Sequence, residues 1–96
     1  MITFNKQNRI SSNVAVDFMT LQNARKDLIG EIEAVMQYDN HIHETNDQQT
    51  IYTLKQIKQD ELMHIGELLA LLNYLDSTQT IYVQKGVEEF ENTQNN

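Results

Sequence analysis

The chain has no cysteine, no proline and no tryptophan, and only 3 glycines among its 96 residues. Without cysteine there is no disulfide, no thiolate metal ligand and no thiol nucleophile. Without proline, and with so little glycine, almost nothing interrupts a helix. Basic residues are also scarce: 7 Lys+Arg against 14 Asp+Glu give a formal net charge of −7. That is the wrong sign for gripping a phosphate backbone, so nucleic acid is not an expected partner. No apolar run approaches the roughly 18 residues of a membrane span, and no basic-then-apolar leader opens the chain, so a cytoplasmic protein without a membrane partner is expected. What is present, 22% charged and 40% hydrophobic residues, is a globular balance. The expected class is all-α in one small domain. So short a chain has too little interior for both a large core and an enclosed substrate cavity, which suggests a site shared between chains.

The pattern along the chain divides it into a flexible segment over 1–11, a helical domain over 12–91 and a polar tail over 92–96. A first helix is expected to start at Ser12 or Asn13, with Asp17 in its first turn, and to run to about His43. The polar cluster Glu44-Thr45-Asn46-Asp47 has the chemistry of a turn and a helix cap. A second helix then reaches about Asp76, with Ser77 and Thr78 ending it. A third, shorter helix from about Thr80 to Phe90 has an apolar edge at Val83, Val87 and Phe90, despite Gly86.

In steps of three and four the first helix reads Leu21, Ala24, Leu28, Glu31, Val35, Tyr38, Ile42, a heptad seam of the kind that packs helix on helix. The second reads Leu54, Ile57, Glu61, His64, Leu68, Leu71, Leu75. In an antiparallel hairpin turning near Asn46, Glu31 falls level with Glu61 and His64, so three metal-ligand side chains meet in one layer of an aliphatic seam. A carboxylate set among leucines costs several kcal/mol unless a cation, a proton or a close hydrogen-bond partner compensates it. A Glu plus a Glu-x-x-His set is half of a carboxylate-bridged di-iron site. Two copies about a two-fold axis would supply four Glu and two His around two metals, completing a four-helix bundle. Beside the seams, Ile29, Ile32 and Met36 form a second stripe, as do Leu62, Ile65, Leu69 and Leu72. A lone hairpin cannot cover both, so at least a homodimer is expected.

Gly30-Glu31-Ile32-Glu33-Ala34-Val35 with Tyr38, followed by Asp60-Glu61-Leu62-Met63-His64, resembles the encapsulated ferritins of the ferritin-like superfamily, over roughly Ala24 to Phe90. The resemblance implies a two-helix protomer whose two-fold dimer, a ferritin-like four-helix bundle, forms a di-iron ferroxidase centre with two Fe per dimer interface. It also implies assembly into a ring such as a decamer, and delivery of oxidised iron to an encapsulin shell inside which the protein would sit. By that resemblance Glu31, Glu61 and His64 are iron ligands, Tyr38 is the aromatic residue beside the centre, and Glu33 belongs to an acidic site where metal is taken up. The chain departs from the family at Gly30, where a further Glu is usual, and over Val87 to Asn96, which does not resemble the family's targeting peptide.

Each residue also has a plainer reading. The polar layer could set helix register, and Tyr38 could be a core aromatic with a bonded hydroxyl. His41 and His43 read as solvated turn residues with metal pickup as the alternative, and Glu33 as a surface charge. Asp60 and Glu67 lie beside the layer, either orienting the second nitrogen of His64 or forming a solvated face. Met19, Met36 and Met63 read as packing. In purified protein the same donors would also take calcium, manganese or zinc. The expected function is Fe(II) oxidation for storage or detoxification. Two alternatives remain: a rubrerythrin-like peroxide reduction, and a non-catalytic helical oligomerisation module.

Overall fold

The computed structural model describes residues 17–94 as three helices, α1 (Phe18–Glu44), α2 (Gln48–Leu75) and α3 (Ser77–Gln94), with no strand among the described residues. The all-α class and the hairpin with a C-terminal helix follow the sequence pattern. The helix start expected at Ser12 or Asn13, and the segments 1–11 and 95–96, lie outside the described residues. Asp17 is the N-cap of α1 rather than part of its first turn. Its carbonyl accepts the Leu21 N–H at 3.2 Å. No described helix is long and apolar enough to cross a membrane.

The turn is short because both helix ends are capped locally. The Thr45 N–H donates to the His41 carbonyl and closes α1. Asp47 opens α2: its carboxylate accepts the Thr50 N–H at 3.0 Å and the Thr50 hydroxyl at 2.6 Å. These bonds favour the ionised form, the side-chain bond most and the backbone bond next, and hold the Asp47 carboxyl below the usual carboxylate range. Nearby, Lys58 on α2 pairs with Asp39 on α1 at 2.6 Å, a cross-link between the two helices.

α1 lies along α2, and every member of the α1 seam from Leu21 to Ile42 is buried or half-buried. On α2 the seam departs from expectation. His64 and Leu71 are exposed, while Leu72 is buried and Ile65 and Leu69 are half-buried. The expected second stripe of α2 is therefore largely inside the hairpin, because a pair of helices buries a broad face rather than a strict two-position seam. Only Leu62 of that stripe is exposed, together with Ile29, Ile32 and Met36 on α1. Met19 and Met63 are also exposed, so the packing expected of the three methionines is not made within one chain.

The second corner differs most from the pattern. Ser77 and Thr78 do not end a helix; they begin α3 directly after Asp76. Asp76 serves both helices, since its N–H donates to the Leu72 carbonyl and its carboxylate accepts the Gln79 N–H at 3.1 Å. The buried Thr80 hydroxyl is within hydrogen-bond distance of the Asn73 carbonyl at 2.8 Å and the Asp76 carbonyl at 3.0 Å. Arg25 of α1 reaches across, donating to Gln79 Oε1 from Nε at 3.2 Å and from Nη2 at 2.6 Å, with Asp76 3.7 Å away. α3 is longer than expected in both directions and absorbs residues 92–94 of the expected tail. Beyond this corner it leaves Ile81, Tyr82, Val83 and Phe90 exposed.

Among the described residues only Ala24 and Leu72 are apolar and fully buried. The radius of gyration is 16.6 Å, against about 13 Å for a compact chain of about 100 residues. The described residues of a single copy form an open arrangement of helices with few buried apolar side chains.

Candidate metal centre

Glu31 comes from the middle of α1, and Glu61 and His64 come from one face of α2, where a three-residue step keeps two side chains adjacent. The antiparallel register brings them level. One donor atom from each residue lies within 4.8 Å of the others. His64 Nδ1 stands 3.5 Å from Glu31 Oε1 and 3.6 Å from Glu61 Oε2. At these distances the ring faces both carboxylates without a good hydrogen bond to either. The nitrogen presented to the carboxylates is Nδ1, which leaves Nε2 for a second partner.

Burial is graded across the trio: the side chains of Glu61, Glu31 and His64 are 20%, 25% and 48% exposed. One Glu31 oxygen, Oε2, is shut off from solvent and has no hydrogen-bond partner among the described residues. Such an atom carries a desolvation cost of a few kcal/mol if nothing compensates it. A divalent cation held by two carboxylates and an imidazole would supply that compensation, and this donor set suits iron, manganese and zinc. The three residues present therefore fit a metal, and they leave its remaining coordination positions free.

The trio lines an open groove of about 630 Å³ together with Lys26, Asp27, Gly30, Ala34, Glu67 and Leu68. At Gly30 an added Cβ would meet nothing within 4 Å, so packing within this chain does not require glycine there. The other sequence candidates stand apart. Tyr38 is half-buried and does not line the groove; it lies two turns toward the hairpin turn, about 10 Å along the axis. Glu33 is exposed on another side of α1, in a shallow groove with Met36, Gln37, Asn40, His41 and Glu44. His43 is exposed, with Nδ1 2.9 Å from the Asp39 carbonyl, to which it donates in the Nδ1–H tautomer. Asp60 is exposed and outside the groove.

Sequence reasoning missed Asp27 and Lys26. The rule that set Glu31 level with Glu61 and His64 also sets Asp27 level with Glu67, so the signal was present. Compared with known proteins, the chain matches no family model, no curated protein and no solved structure.

Proposed function

We propose that the protein is a ferroxidase of encapsulated-ferritin type, oxidising Fe(II) substrate to Fe(III) at a centre that two copies of the chain complete. The observation that carries this reading is the convergence of Glu31, Glu61 and His64, with one Glu31 oxygen buried and unpartnered. Two such sets across a two-fold axis would make a four-helix bundle holding two irons between four Glu and two His. The half-exposed His64 and the open groove support a partner on that side. The scarcity of buried apolar residues, and the exposure of Ile29, Ile32, Met36 and Leu62, support association in general. Larger rings and an encapsulin shell around them belong to the same proposal, as the use to which oxidised iron would be put.

The residues have distinct tasks. Glu31 and Glu61 supply hard anionic oxygens, which stabilise Fe(III) more than Fe(II) and so favour loss of the electron. His64 supplies a neutral donor through Nδ1. Two Fe(II) at one centre release two electrons together, enough with two protons to reduce O₂ to hydrogen peroxide. The helices contribute fixed geometry and partial exclusion of water.

The test is Fe(II) oxidation followed by absorbance on mixing anaerobic protein with air-saturated buffer, beside native mass, for the wild type and Glu61→Ala. The expected result is rapid oxidation near two irons per dimer, abolished in the variant. Oxidation no faster than buffer, with metal leaving mass and stability unchanged, would leave a helical module whose polar layer sets register.

A further inference from the structure

We infer that α3 is a hinged arm: in an unassembled chain it closes over the exposed apolar stripe of its own hairpin, and association through that stripe requires it to stand open. The stripe comprises Ile29, Ile32 and Met36 on α1 and Leu62 on α2. At about 100° per residue, Ile32 and Leu62 fall on one side of Glu31 and Glu61, and the groove residues Gly30, Ala34 and His64 fall on the other. A partner on the groove side therefore leaves the stripe uncovered. α3 springs from the side of the stripe. Arg25, one turn before Ile29, donates to Gln79 at the start of α3, and Asn73, three turns after Leu62, is buried beside the corner. The described residues measure 50 × 40 × 18 Å. Two helices side by side are only about 20–24 Å across, so α3, about 27 Å long, projects from the hairpin.

The projecting arm has its polarity reversed. Its inward positions are Thr80, Gln84, Val87 and Glu91, three of them polar, whereas Tyr82, Val83 and Phe90 share an exposed face. The corner also encloses polar atoms that have no partner among the described residues, both side-chain atoms of Asn73 and Oε1 of Gln84. Such groups are costly, so the open position is held by Arg25, Asp76 and Thr80 against that cost and with little apolar gain. A single residue, Asp76, separates α2 from α3, and a few such residues suffice to move a helix as a body. Folding α3 back antiparallel to α2 about Asp76 sets Val83 level with Leu69 and Phe90 level with Leu62. It also brings Glu91 within one turn of Lys58 and two turns of Lys55, so the acidic end of the arm meets cations. Tethered by one residue, α3 meets its own stripe at an effective concentration of about millimolar, which favours it over the same helix of another chain. A neighbour that uses the stripe must first displace the arm, which makes the closed arm an autoinhibitory contact. Nothing in this requires metal at Glu31, Glu61 and His64.

The native chain has no cysteine, so spin labels on Gln49→Cys and Asn92→Cys, both exposed, report the arm by double electron–electron resonance. With α3 at right angles to α2 the two backbones are about 47 Å apart, and folded back they are about 19 Å apart. In EDTA, at the lowest concentration that gives a signal, the inference expects the short distance to dominate. It expects that distance to survive dilution of labelled chains into a tenfold excess of unlabelled ones. Phe90→Glu in the labelled chain should shift the population to the long distance and raise the native mass at a given concentration. The long distance alone in the unmutated arm would overturn the inference, whatever the native mass. A short distance that fades on dilution into unlabelled chains would also overturn it, by assigning the contact to the arm of a second copy. Opening by Phe90→Glu with no change in native mass would refute the autoinhibitory role.

Discussion

If the Glu31–Glu61–His64 layer exists to hold metal, the metal-free protein carries a strain that a single charge removal relieves. Glu31 and Glu61 place carboxylate oxygens within 4.8 Å of each other. At that separation, with an effective dielectric constant near 20, two like charges repel by about 3 kcal/mol. Both side chains are a fifth to a quarter exposed, so solvent screening and the nearby imidazole reduce the net effect to about 1 kcal/mol. Glu61→Gln keeps the shape and removes the charge. In EDTA it should raise the midpoint of thermal unfolding by about 4–8 °C, the shift that about 1 kcal/mol gives in a domain of this size. With Mn(II) or Co(II) the order should reverse, because wild type gains about 2.7 kcal/mol at a free metal concentration 100 times Kd and the variant gains little. Melting by circular dichroism at 222 nm, at one protein concentration with and without metal, reads both effects. A variant less stable than wild type in EDTA would refute the reasoning, since it would make Glu61 a stabilising member of a register network. Equal response of both proteins to metal would refute it as well.

Three further outcomes follow from the caps and the corner. Asp47 has its carboxyl below the usual range because Thr50 donates to the ionised form, so its contribution is fully present above the ordinary carboxylate pKa and is lost as pH falls through the lowered value; Asp47→Asn should flatten the acid limb of a stability-versus-pH curve measured by urea unfolding, and an unchanged limb would contradict this. At the α2–α3 corner, Thr80→Val removes a buried hydroxyl that serves two carbonyls and should cost about 1–3 kcal/mol, while Arg25→Gln should speed hydrogen exchange in the first turns of α3 and leave the α1–α2 seam protected.

The sequence alone determined the helical class, the hairpin and the level of the Glu31–Glu61–His64 layer. Each depends on spacing along one helix and on a turn whose caps are local: Thr45 and Asp47 act on neighbours within a few residues. For the same reason Glu31, Glu61 and His64 could be placed together before any coordinates, since antiparallel pairing is fixed once the turn is known. Only the tertiary structure decided which side of each helix stays open. It exposed His64 and Leu71, buried Leu72, moved Ser77 and Thr78 from an end to a beginning, and put Tyr38 and Glu33 outside the groove that holds the trio. These outcomes turn on the rotation of one helix against another and on Arg25 reaching Gln79 across 54 positions. Periodicity ranks the faces of a helix by polarity, but where a neighbouring helix and a remote side chain come to rest is settled by packing in three dimensions.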